Sequence, residues 1–470
     1  MTPFRVECDL RDCEVDGAVP SDIRGTFYRV GPDFQYPSRA PGNIPFDGEG
    51  HVSLFRIADG HVDFKSRFVR TQRFKAQEAE RRSLFGMYRN PLTDDPSVAQ
   101  VSRGTANTHV VHHNGKLLAL KEDSPPVLLD PHTLETLDDF HTFNGQLKSL
   151  TFTAHPKLDA ETGEMIAFGY EAAGLASDDV AIFAIDRNDN VTWEAWIKVP
   201  YAALIHDFAV TQRHVALFVM PLAVNMDLIK RGGPHFAWDS SLPTWLGVMR
   251  RGGDGSDLRW FKGPERCAMH AMGAFSDGDR LYVDMQMSLK NPFPFFPNRH
   301  GEPFDPVAAC GRITRLSVDL SQKSAATYDM EIMYPHVGYL PRQDDRYNTV
   351  PYRYGFMNTT DTSKPLLPGP FGMRGSNCYV RFDHQTRRTS AFATPDGAHL
   401  SEPCFVPRNK SAPEGDGYVV GIVDSPREGG RTDLLILDAE HLEDGPIATV
   451  KLPVRTNLQV HGWWMPACAS

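Results

Sequence analysis

Short bursts of alternating apolar and polar residues recur along almost the whole chain: GTFYRVG (25–31), HVSLFRI (51–57), VAIFAI (180–185), HVALFV (214–219), RLYVDMQM (280–287), RITRLSV (312–318), YVVGIV (418–423) and DLLIL (433–437). A side-chain period of two belongs to extended backbone, so each burst reads as a β-strand. Asp59-Gly60, Asn114-Gly115 and Asp277-Gly278 stand between pairs of such segments and are favoured hairpin-turn pairs, which makes the pairing mainly antiparallel. Helical periodicity is weak, confined to short stretches near Ser97 to Gln100 and Met226 to Arg231, so alternating β-α-β units are not supported. The chain is all-β. Strands and turns continue from Gly25 to Trp464 without a linker, far beyond the length of one sandwich. Radial repetition of small sheets absorbs such a length in one closed body, so a β-propeller with degenerate blades is expected, as a single domain over 1–470 with a short N-terminal extension of about 20 residues.

Composition narrows the function classes. With 49 Lys+Arg against 59 Asp+Glu, the net charge of −10 argues against a nucleic-acid surface. Cys8, Cys13, Cys267, Cys310, Cys378, Cys404 and Cys468 are odd in number and form no C-x-x-C pair, so neither a disulfide framework nor a zinc ribbon is indicated. The apolar run Val215 to Val224 is broken by Pro221 and is too short to span a bilayer, and the charged N-terminus has no signal-peptide core. A cytoplasmic protein without stable membrane insertion is the expectation.

The 18 histidines separate by context. His61 follows a hairpin turn, and His112 and His113 precede one, positions that read as solvent-facing. His155 in TFTAHPKLD, His206 in LIHDFAV, His270 in AMHAMGAF and His461 in QVHGWWM lie instead among apolar neighbours beside strand-like segments. Each alone is compatible with a hydrogen-bonded core histidine, but the innermost strands of a propeller all face one axis, where such residues can meet. Four neutral imidazoles without thiolate suit iron or copper, whereas structural zinc recruits cysteine. A buried dication in a neutral shell requires carboxylates behind the rings, and Glu122 and Glu402 sit beside strongly apolar neighbours.

These histidine contexts, with GTFYRVGPD, FDGEGHV, EPCFVPR and HGWW, resemble the carotenoid cleavage oxygenase superfamily from near residue 20 to the C-terminus. The resemblance implies a seven-bladed propeller, with loops and short helices capping an axial site that holds one Fe(II) per chain on His155, His206, His270 and His461. It also implies that Glu122 and Glu402 stand behind those ligands and that the methyl of Thr108 crowds one iron position. One departure is visible: GYLPRQDDRY places Tyr339 where the family commonly has a third glutamate, so either the local register is shifted or one ligand histidine is oriented by another group.

Within the superfamily, NIPFDGEGH, LFGMYRNP and LLALKED are similar to the lignostilbene dioxygenase branch. By that resemblance Tyr88 and Lys121 hold the 4-hydroxyl of a phenolic stilbene and Phe46 packs on its ring, while O2 cleaves the interphenyl double bond to two aromatic aldehydes. A lysine ammonium about 4 Å from a phenol whose ordinary pKa is about 10 would favour phenolate by up to about 4 kcal/mol at an effective dielectric of about 20, less the cost of desolvation. The run NPFPFFP (291–297) is too proline-broken for a central strand and reads as a loop that either caps the propeller core or, on the face where the resemblance implies substrate entry, roofs an apolar tunnel with Phe293 a candidate aryl contact. Two rival readings stand beside this one. A carotenoid or apocarotenoid oxygenase would share the iron but has no use for a charge in its tunnel. A non-catalytic binding scaffold would not require axial ligands. Relatives suggest a homodimer.

Overall fold

The computed structural model describes residues 3–367, 375–424 and 430–467. Among them, seven antiparallel sheets of four or more strands follow one another along the chain, with one two-stranded ribbon inserted in the third. They form a seven-bladed β-propeller. The first blade begins at strand His109–His113, the second at Lys157–Leu158, the third at Phe208–Val210, the fourth at Cys267–Asp277 and the fifth at Tyr339–Gln343. The sixth is built on His399–Leu400 and Cys404–Pro407, which both pair with Gly417–Asp424. In the seventh, the C-terminal strand His461–Pro466 lies against Gly25–Asp33, with Val30 opposite His461 and Gly25 opposite Pro466.

The ring is closed by joining the two ends of the chain. The N-terminal stretch also supplies outer edges: Cys8–Leu10 pairs with His61–Phe68 in the seventh blade, and Glu14–Gly17 pairs with Pro446–Lys451 in the sixth. Inner strands touch their neighbours around the axis, Phe208–Val210 against Cys267–Asp277, then Tyr339–Gln343, Cys404–Pro407, His461–Pro466 and His109–His113 in turn. At the closing seam there is no room for a side chain on Gly31, where an added Cβ would stand 1.5 Å from the carbonyl oxygen of Leu458.

All eight alternating segments are strands. Their burial is more complete than alternation alone requires: Gly25–Asp33 and Met165–Tyr170 are buried at every position, because each blade packs on a neighbour at both faces. Asp59-Gly60 and Asn114-Gly115 have positive φ at both residues, as a type I′ hairpin demands. The third turn is displaced by one. Asp277 pairs with Arg280, so Gly278-Asp279 is the two-residue loop, with glycine supplying the positive φ at its first position.

Helices are few. Pro96–Val98 is a single 3-10 turn and Met226–Lys230 a short α-helix. The sequence reading missed the α-helix Gln72–Glu80, capped by Thr71 Oγ1 on the Phe74 N–H at 3.0 Å. Its buried Arg73 donates to Asp47 and Glu49 and so fixes the FDGEG loop that carries Phe46. No helix among the described residues is long and apolar enough to cross a membrane. Cys8, Cys13, Cys267, Cys310, Cys378 and Cys404 are free thiols, and Cys468 lies outside the described residues.

Candidate metal centre and the pocket beside it

His155, His206 and His461 stand at or just before the first residue of an inner strand, and His270 four residues into one, on the second, third, seventh and fourth blades. The four rings converge, with one ligand nitrogen from each lying within 4.8 Å of all the others. Hydrogen-bond logic fixes the tautomers of three of them. The Nδ1 of His206 faces Glu122 Oε1, that of His461 faces Glu402 Oε1 at 2.8 Å, and that of His270 faces Gln286 Oε1 at 3.1 Å. All three partners are acceptors, so each Nδ1 carries the proton and each Nε2 presents a lone pair. Yet the Nε2 atoms of His206 and His270 are 3.0 Å apart, and that of His461 is buried without a hydrogen-bond partner. Lone pairs facing one another in a buried site call for a cation between them. Burial, reinforced by the neighbouring histidines, also holds His155 and His270 well below the ordinary imidazole range, the neutral state a metal requires. The residues fit a bound metal ion.

The groups behind the rings answer the question posed by Tyr339. Glu122 and Glu402 occupy the anticipated positions, but the partner of His270 is the neutral amide of Gln286. Tyr339 instead pairs with Asn358 at a bulge in its strand. Burial works to raise the Glu402 carboxyl, but His461, Arg342 and Arg29 outweigh it and hold the group well below the usual range. Glu122 is lowered likewise, against burial, by His206, Lys121 and the Tyr170 hydroxyl, which donates to its Oε2 at 2.9 Å.

Lys121 follows the second strand of the first blade, Lys116–Leu120, which runs antiparallel to the inner strand. It therefore emerges on the face of the ring where the inner strands start and the histidines sit. Lys121 and Tyr88 are both buried, and the ammonium lies 5.2 Å from the centre of the Tyr88 ring. The Lys121 Nζ also reaches the Phe46 carbonyl at 3.4 Å. Burial, with Glu122 and Asp123 nearby, keeps the Tyr88 hydroxyl well above its ordinary pKa of 10, so it remains a donor. The NPFPFFP run is a loop, as expected, and Phe293, Phe295 and Phe46 pack on the same apolar cluster as Tyr88. The ring that meets Phe46 is Phe295, at 5.9 Å between centroids, while Phe293 packs against Phe295 in a tilted contact at 5.2 Å. Thr108 Oγ1 donates to Asn107 at 3.0 Å, and Asn107 in turn holds the Phe46 carbonyl at 2.8 Å. A separate cavity lined by Lys157, Asp207, Arg342 and Trp463 reaches His155 and His270 from further along the inner strands. None of Phe46, Tyr88, Lys121 or Phe293 lines it.

Residues 1–466 match the family described as retinal pigment epithelial membrane protein. The chain is 42% identical to lignostilbene-α,β-dioxygenase isozyme III of Sphingomonas paucimobilis, a match covering 99% of this chain and 96% of the relative. The chain belongs to the carotenoid cleavage oxygenase family. It is also 41% identical to an isoeugenol monooxygenase of Pseudomonas nitroreducens, over 99% of this chain and 97% of that one. Among solved structures, a Pseudomonas brassicacearum lignostilbene dioxygenase aligns with a TM-score of 0.95 at 40% identity, covering 99% and 97% of the two chains.

For this family member, several groups at the site escaped the sequence reading. His109 is the fifth histidine on the axis, its Nδ1 on the Ala154 carbonyl at 2.8 Å, and burial lowers its pKa to about 3. Arg89, next to Tyr88, donates to the Glu122 carbonyl, the Tyr170 hydroxyl and Glu171. It thereby ties the segment bearing Tyr88 to the strand end bearing Lys121. His113, read as solvent-facing, is buried, with Nε2 on the Gly163 carbonyl at 3.1 Å.

Proposed function

We propose that the chain is an iron(II)-dependent dioxygenase that cleaves the interphenyl C=C bond of 4-hydroxystilbenes with O2, giving two aromatic aldehydes. The observation that carries this reading is the buried pair Lys121 and Tyr88 beside Phe46, on the face of the ring where the four histidines meet. The relatives named lignostilbene dioxygenase support it.

Iron held by His155, His206, His270 and His461 would supply the redox-active site at which O2 and an electron-rich alkene react. The overall change balances without a further reductant: the alkene carbons gain one oxygen each, and both bonds between them break. The chain's own contribution is to make the alkene electron-rich. Lys121 places a positive charge where the 4-oxygen of the substrate would lie, and the Tyr88 O–H donates to the same oxygen. Both favour the phenolate, whose charge delocalises through the ring to the double bond. Phe46, backed by Phe295 and Phe293, offers an apolar wall for the ring and keeps water from the phenolate. Thr108, with its hydroxyl committed to Asn107, would turn its methyl to one side of the metal.

Two relatives named isoeugenol monooxygenase favour a second reading, in which a smaller phenol with a conjugated propenyl group is the substrate. Oxygen consumption by anaerobically iron-loaded protein decides between these, measured with a 4-hydroxystilbene, its 4-methoxy ether, isoeugenol and an apocarotenoid, with aldehydes identified. Cleavage of the hydroxystilbene in preference to all others is expected. Equal turnover of the ether would remove the phenolate role, faster turnover of isoeugenol would move the substrate to the smaller class, and apocarotenoid cleavage would overturn the phenolic reading.

A further inference from the structure

Three of the four converging histidines have a partner on Nδ1, and the partners are unequal. His206 and His461 donate to carboxylates, whereas His270 donates to the amide oxygen of Gln286. This amide is held in place. Its Oε1 also accepts the backbone N–H of Leu340 at 3.1 Å, and Leu340 is turned to a φ of +45° at the strand bulge. With two N–H donors converging on one atom, the oxygen of the amide is the end that faces His270. Gly311 leaves space for the side chain, since a Cβ there would stand 2.8 Å from Gln286 Cγ. Of the two glutamates, Glu402 is moreover shared with Arg29 and Arg342, at 3.4 and 3.3 Å.

We infer that Gln286 is the positioning residue for His270 and that, as a neutral acceptor, it biases the centre toward the ferrous ion. The inference rests on the iron reading above. An imidazole whose N–H is shared with a carboxylate becomes a stronger electron donor and adds a negative charge, both of which stabilise the ferric ion. An amide orients the ring without either effect. An ion at this site therefore meets two outer carboxylates, one of them partly neutralised by two arginines, and the field favours a charge of +2 over +3.

The test compares anaerobically iron-loaded wild type with Gln286→Glu and Gln286→Leu, reading the ferric/ferrous midpoint potential and the rate at which a chelator strips Fe(II). Gln286→Glu should lower the midpoint and slow the loss of iron. Gln286→Leu, which leaves the His270 N–H without an acceptor, should weaken iron binding by about 10- to 100-fold. An unchanged or raised midpoint in Gln286→Glu overturns the inference while leaving the iron reading standing. If that variant does not fold, Gln286→Leu decides, and loss of iron at the wild-type rate overturns it. A wild type that retains no iron overturns the iron reading and this inference together.

Discussion

A single positive charge separates the phenolic reading from a hydrocarbon one. Lys121 is 6% exposed and its ammonium faces a tyrosine ring and a carbonyl oxygen, contacts that a strand-end lysine reaching into water would not make. If Lys121 stabilises phenolate, Lys121→Met should lower kcat/KM on a 4-hydroxystilbene by about 10²-fold, the upper electrostatic figure of about 4 kcal/mol being reduced by desolvation. Metal content should be unchanged, because Lys121 is not among the converging ligands. Near wild-type turnover in the variant would remove the phenolate role. At this scale the four histidines were legible because each is a polar residue in an apolar setting, and Glu122 and Glu402 for the same reason. Gln286 was not. It sits at a polar position of the alternating strand RLYVDMQM, where a glutamine is unremarked until the bulge at Leu340 brings a second donor to it.

Elements were legible where local chemistry decides them. Alternation marked the strands, and the positive φ needed at Asp59-Gly60 and Asn114-Gly115 marked the hairpins. The helix Gln72–Glu80 carries one large apolar residue, Phe74, so it offers no apolar stripe; its burial is bought by ion pairs of Arg73 with Asp47 and Glu49. Such a helix is held by partners distant in sequence, and periodicity cannot find it. The closing seam has the same long-range character. Gly31 lies in an ordinary-looking strand, yet its Cα faces the Leu458 carbonyl three residues before His461. Gly31→Ala should therefore force the last strand outward, costing about 3 kcal/mol by overpacking and moving His461 from the cluster. Thermal unfolding and metal content measured together check this: both should fall. A variant that loses stability but keeps full metal occupancy would show that the seam and the ligand are uncoupled.

On the axis of the seven-bladed ring the structure sets polar groups. The second, third, fourth and seventh blades supply the four converging histidines, the first supplies His109, the sixth Glu402 and the fifth Arg342, which bonds to both Glu402 and the Gly462 carbonyl. The sequence points to the four histidines and Glu402 meeting on the axis but not to Arg342 or to the blade each group comes from, because that depends on which strand of each blade is innermost. A metal bound by four blades links parts of the chain from 155 to 461 and should stabilise the closed ring as a whole. At a free metal concentration about 1,000 times Kd, binding to the folded state alone contributes about 4 kcal/mol. An unfolding entropy of about 2.1 cal/mol/K per residue gives about 1 kcal/mol/K for a chain of 470 residues. Removal of the metal by a chelator should thus lower Tm by about 4 °C, and restoring it should recover the loss. Hydrogen exchange should rise on metal removal at the ligand-bearing segments of four blades at once, since each loses the same cross-link. Identical Tm and exchange with and without metal would mean that the propeller holds the four imidazoles in place unaided, with the ion adding chemistry but no cohesion.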